Sequence, residues 1–101
     1  MKRLFISQPM RGKTDEEIIT ARERIVEDAR EQIGKDVVLV DSFFQNSLVH
    51  GNTPLYLLGK SLQLMSTADV AYFAKGWEQY RGCRIEHECA KEYGVKIIYE
   101  N

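Results

Sequence analysis

Hydrophobic positions in this chain fall into short unbroken runs, separated by longer stretches where they recur every three or four residues. Leu4-Phe5-Ile6 is the first run and reads as a buried strand. It ends at Ser7-Gln8-Pro9-Met10-Arg11-Gly12, where Pro9 and Gly12 both break regular structure. A helix is expected from Thr14. Thr14 and Glu17 form a capping-box pair, and Asp15 and Glu16 suit the positive end of the helix dipole. Ile18, Ala21, Ile25, Ala29 and Ile33 make its apolar stripe, and Gly34 is placed to close it in a left-handed conformation. The charge-rich residues 22–31 read as its wet face.

Val37-Val38-Leu39-Val40 is β-branched and does not alternate, so a second buried strand is expected. Asp41-Ser42-Phe43-Phe44 leaves its carboxyl end, and Gln45 to Asn52 reads as a polar loop. Thr53-Pro54 reads as a cap followed by proline at the first helical position, with Leu55, Leu58, Leu62 and Met65 as the stripe behind it. Val70-Ala71-Tyr72-Phe73 is the third strand. A loop with Gly76 and Trp77 leads to a helix over residues 82–93, ended by Gly94, and Val95-Lys96-Ile97-Ile98-Tyr99 is the last strand.

Strand and helix alternate throughout. That pattern predicts a parallel sheet with right-handed crossovers and helices on both faces. The expected fold is α/β, a three-layer Rossmann-like (flavodoxin-like) domain over residues 1–101, with four strands in the order 2-1-3-4. With 101 residues the chain buries only about two-thirds of its unfolded surface, so a homo-oligomer is expected. The formal charge of −1, from 14 basic and 15 acidic residues, gives no electrostatic case for a nucleic-acid polymer or an anionic membrane. No apolar run approaches the roughly 20 residues of a membrane span, and Met1-Lys2-Arg3 leads straight into a strand. The chain therefore reads as cytoplasmic. Cys83 and Cys89 lie on different faces of one helix without metal-ligand spacing and read as small hydrophobes.

In an open parallel sheet, ligands bind outside the carboxyl ends of the strands. Residues 7–13, 41–46 and 75–82 converge there. Neither G-x-G-x-x-G nor G-x-x-x-x-G-K-[ST] is present, which argues against a dinucleotide dehydrogenase and a P-loop phosphotransferase. Glu86 shares a helix face with Gly82 and Ala90, extended by Cys89 and Tyr93, while Glu88 is turned about 200° away. Two readings of Glu86 stand on the pattern alone. It complements the helix dipole, or it is an ionised, partly buried nucleophile for a sugar anomeric carbon.

Two motifs carry a resemblance. Ile6-Ser7-Gln8-Pro9-Met10-Arg11-Gly12 resembles the opening I-S-G-P-M-x-G strand and loop of the nucleoside 2-deoxyribosyltransferase-like superfamily, in its short, functionally unassigned bacterial and phage branch. Gly76-Trp77-Glu78 with Gly82-Cys83-Arg84-Ile85-Glu86 and Ala90 resembles that branch's G-W-E-x-S-x-G-A-x-x-E-x-x-x-A. The resemblance implies that Glu86 attacks C1′ of a deoxynucleoside, forms a glycosyl-enzyme intermediate and releases the base to a second base or to water. Gln8 stands where the branch has glycine. Tyr80 stands where the branch has serine and the transferases a sugar-contacting aspartate.

The expected ligand is a nucleoside or nucleotide, with no cofactor or metal. The expected catalytic residues are Glu86 and Asp41. Asp41 either protonates the departing base or begins a turn before Ser42. Ser7, Gln8, Met10, Arg11, Gly12, Trp77, Tyr80 and Gly82 are the expected substrate contacts. Arg11 with Gly12 either meets a sugar or phosphate or is a solvated loop. Trp77, Phe43 and Phe44 are candidates to stack on a base. Asp69 precedes the third strand, at the opposite edge, and reads as structural. His50 and His87 read as exposed. A non-catalytic nucleotide-binding, sensing or sequestering module is the alternative function.

Overall fold

A computed structural model describes residues 1–40 and 50–101. The elements follow in the order β1 (Lys2–Ser7), α1 (Asp15–Ile33), β2 (Val37–Val40), α2 (Thr53–Met65), β3 (Val70–Phe73), a 3-10 turn (Trp77–Gln79), α3 (Arg81–Glu92) and β4 (Lys96–Tyr99). All strand pairs are parallel, in the order β2-β1-β3-β4. The Rossmann-like α/β architecture expected from the alternation is the one observed.

Strand alternation divides the core between the two faces of the sheet. Leu4 and Ile6 of β1, with Val70 and Tyr72 of β3, pack against Ile25 and Ala29 of α1. Phe5, Ala71 and Phe73 point the other way, towards Met65 of α2 and Ala90 of α3. Each large side chain sealed there stabilises the fold by about 1.5–3 kcal/mol relative to its exposed state. β2 is an edge strand, so only Val37 and Val40 are buried while Val38 is exposed. The expectation of a fully buried β2 took its sequence for that of a central strand.

The capping box is present: Glu17 N–H donates to the Thr14 hydroxyl, and Thr14 N–H donates to the Glu17 carboxylate. Several local expectations are corrected. Gly34 has φ 103° and ψ 166°, a positive-φ but extended cap rather than a left-handed helical one. Asn52, not Thr53, caps α2, accepting from Leu55 N–H at 3.0 Å, and Pro54 is the second helical residue. Leu55 is 63% exposed because it lies one position round from the α2 face that meets the sheet. Arg22 is buried, since it shares the inward stripe of Ile18, Ile25 and Ala29. Tyr93 caps α3 and is exposed, so it does not extend the buried face of that helix.

The chain end is tied across α1. Tyr72, fully buried, donates its hydroxyl to Asp28, and Asn101 donates to the same carboxylate from its side chain at 3.0 Å. At the amino edge, Asp69 accepts from Arg3 N–H at 2.8 Å, a structural contact as expected. No helix among the described residues is long and apolar enough to cross a membrane.

Candidate functional site

The last residue of β1 begins the site. Alternation that sends Phe5 to the α2–α3 side sends Ser7 there too, at the carboxyl edge of the sheet. The buried face of α3 is Cys83, Glu86 and Ala90. Ala90 has no exposed surface, and its small side chain lets the helix sit close to the sheet. Glu86, one turn nearer the edge, thereby reaches β1. Ser7 Oγ donates to Glu86 Oε1 at 2.6 Å, a short hydrogen bond of the charge-assisted kind.

Glu86 is 9% exposed, and that surface opens into a cleft of about 220 Å³. The β1 end supplies Ile6, Ser7, Gln8, Met10 and Arg11 to its walls; α2 supplies Pro54, Leu57, Leu58 and Ser61; and the α3 end supplies Tyr80, Gly82, Cys83 and Glu86. Burial pushes the Glu86 carboxyl above its ordinary range, and hydrogen bonding by Ser7 and Ser61 partly offsets this. The sequence expectation weighed only the helix dipole, which favours the charged form. Loss of water works the other way and is the largest influence on the group, ahead of the hydrogen bonds from Ser7 and Ser61. Burial also raises the Cys83 thiol, to about 11, although Ser7 acts in the opposite direction. Cys83 is therefore a neutral thiol near pH 7 and not a competing nucleophile.

The family model of a domain of unknown function, DUF4406, matches residues 2–99. The chain belongs to that family. No curated protein and no solved structure matches it.

In this DUF4406 chain the cleft brings together Ser7, Gln8, Met10, Arg11, Tyr80, Gly82 and Glu86 from the sequence-selected residues. Gly12 and Trp77 are not in its walls. Gly12, at φ 81°, is the third residue of a turn in which Lys13 N–H donates to Met10 C=O at 3.1 Å. Glycine suits that positive φ. Its contribution is to shape the loop that carries Met10 and Arg11. Trp77 stacks on His87 with ring centroids 4.0 Å apart and meets Phe73 edge-on at 5.6 Å. His87 Nε2 lies 2.7 Å from the Tyr99 hydroxyl, so His87 is half-buried in an aromatic cluster rather than exposed. Asp41, Phe43 and Phe44 lie outside the described residues.

Sequence reasoning missed the α2 wall of the DUF4406 cleft, above all Ser61. A signal existed. Ser61 follows Leu58 by three and precedes Met65 by four, so it is a polar residue on the inward stripe of its helix, as Glu86 is on α3. Among the described residues, no group of three or more His, Cys, Asp or Glu side chains is arranged to hold a metal ion.

Proposed function

We propose that this protein breaks or exchanges the N-glycosyl bond of a nucleoside or nucleotide, as a deoxyribosyltransferase or an N-hydrolase, with Glu86 as the nucleophile at C1′. One observation carries the reading. The carboxylate is withdrawn from bulk water yet forms the wall of an open cleft, with Ser7 fixing one of its oxygens at 2.6 Å. A poorly hydrated carboxylate is a strong partner for the positive charge that develops at C1′ in such a transition state. The two motifs that resemble nucleoside 2-deoxyribosyltransferases support the same assignment.

In the first step a Glu86 oxygen bonds to C1′ as the C1′–N bond breaks. The bonding pair leaves with the base, which takes a proton from an acid. In the second step a base N–H or water attacks C1′ and gives up its proton to solvent, the C1′–O bond of the ester breaks, and the carboxylate is regenerated. α3 begins without a side-chain cap, and Gly82 and Cys83 of its first turn line the cleft. Unpaired backbone N–H groups in such a turn suit a sugar or phosphate oxygen. Arg11, exposed at the mouth, suits the same ligand.

Incubation with deoxynucleosides and their 5′-monophosphates should release free base, and Glu86→Gln should abolish release while the protein stays folded. Demonstrated binding of these compounds with no base released by the wild type would sink the catalytic reading. A second reading has its own support. Among the described residues lining the cleft, Glu86 is the sole carboxylic acid, whereas retaining glycosyl enzymes ordinarily pair two. A module that binds nucleotides without turning them over fits that inventory. Tight calorimetric binding without product would favour it. Leu55 and Tyr56, exposed apolar side chains on the helix that forms one cleft wall, fit a subunit contact, which sedimentation velocity tests.

A further inference from the structure

Among the described residues, no positive side chain faces Glu86. The influences on its carboxyl are burial, which raises it, and hydrogen bonds to the neutral hydroxyls of Ser7 and Ser61. Arg11 is the one cationic side chain among the described residues lining the cleft, and it is exposed at the mouth, where water weakens its field. Buried carboxylates are ordinarily paired with a positive group. Here the described residues supply none, and the cleft is open beside the carboxyl. Two further features of the walls point the same way. Tyr80 gives them an aromatic ring, and aromatic faces attract cations. Among the described residues of the walls, Glu86 is the sole carboxylic acid, with Arg11, Tyr80 and Cys83 as the other titratable groups. A guanidinium, a phenol and a thiol are far weaker acids than a carboxyl, so these walls are poorly equipped to protonate a departing base.

We propose that the cleft selects an N-glycosyl compound whose base carries a permanent positive charge, as in a pyridinium or quaternised purine nucleoside. The inference rests on the N-glycosyl reading of the cleft and adds to it the charge that the substrate brings. A cation delivered beside Glu86 supplies the counter-charge that the walls lack, and so favours the ionised form that attacks C1′. As a Glu86 oxygen bonds to C1′, the C1′–N bond breaks and its electron pair passes to the ring nitrogen. The base leaves neutral, and no proton is needed at that step. Water then attacks C1′ and gives up its proton to solvent, the C1′–O bond of the ester breaks, and the carboxylate is regenerated.

Two deoxyribosides of one shape test the charge selection by calorimetric titration at pH 8. One carries an N-methylpyridinium ring and the other a methylphenyl ring, each joined to the sugar through carbon so that neither can be cleaved. They differ in charge alone. Wild type should bind the cation at least about tenfold more tightly, and Glu86→Gln should bind the two within about twofold of each other. The N-linked pyridinium deoxyriboside should release free pyridine with wild type, followed by ultraviolet absorbance. Equal affinity of wild type for the carbon-linked pair overturns the charge selection, and base release from neutral deoxynucleosides would then leave the N-glycosyl reading standing. That comparison needs no variant, so it decides the matter even if Glu86→Gln does not fold. A preference for the cation that survives in Glu86→Gln also overturns the proposal. A preference without release of pyridine or of any base overturns the N-glycosyl reading, and the claim about its substrate with it.

Discussion

Replacing Glu86 with glutamine should stabilise the protein above the ordinary carboxylate range while removing its activity. The exchange keeps side-chain size. It also keeps an acceptor for the Ser7 hydroxyl, which now donates at 2.6 Å, and the new amide N–H can donate to Ser61. What disappears is a charge held in a site that is 9% exposed. An ion withdrawn from water costs several kcal/mol after relaxation. Hydrogen bonds to a charged group return about 1.5–3 kcal/mol each, and the raised carboxyl means that they do not return all of that cost. The sign follows from the raised pKa of the folded state. Below the ordinary value of 4.5 both folded and unfolded chains are protonated at this group, and its contribution to stability is fully present. As pH rises through the folded-state pKa, the native protein must take up the buried charge and that contribution is lost. Glu86→Gln does not titrate, so its advantage should be absent near pH 4 and complete on the alkaline side. For a domain of 101 residues each kcal/mol moves the melting temperature by about 4–8 °C. Calorimetric melting of both proteins from pH 4 to pH 8 reads the difference directly, and other titrating groups cancel. A variant no more stable than wild type at pH 8, or a gap that does not change with pH, would refute the reasoning.

Three further outcomes follow from the same contacts. Ser7→Ala removes the hydrogen bond that most favours the Glu86 charge, so it should raise that carboxyl further and cost about 1.5–3 kcal/mol in urea unfolding near pH 7; carbon-13 NMR of the carboxyl reads the first effect. Burial works against the charge of Asp28, yet hydrogen bonds from Tyr72, Asn101 and Gln32 outweigh it and hold the carboxyl below its ordinary 3.8. This contribution is present above 3.8 and lost as pH falls through the folded value. Tyr72→Phe should therefore cost about 1–3 kcal/mol at pH 7 and less below pH 3, as read by chemical denaturation at both pH values. The Cys83 thiol is buried and raised to about 11, whereas Cys89 is partly exposed. Iodoacetamide at pH 8 should thus label Cys89 at least about tenfold faster in the folded protein, read by peptide mass spectrometry.

The order of elements, the parallel sheet and the sheet edge where the cleft lies are legible in the chain alone, as is the placing of Glu86 on the inward face of α3. These depend on local rules. Alternation of strand and helix fixes topology through the handedness of crossovers, and a carboxylate on a small-residue stripe is visible from helical spacing. Thr14 with Glu17 was legible for the same reason, because a capping box joins residues only three apart. What depends on distant neighbours is not legible there. Ser7 and Glu86 are 79 residues apart, and nothing in either segment records the hydrogen bond between them. Whether Trp77 meets a ligand or stacks on His87, whether Arg22 is wet or buried, and whether Ser61 reaches the carboxylate are questions of packing angle. So is the charge preference of Glu86. The helix dipole is written in its position along the chain, but the removal of water, which raises the carboxyl, exists only once α2, α3 and β1 close around the group.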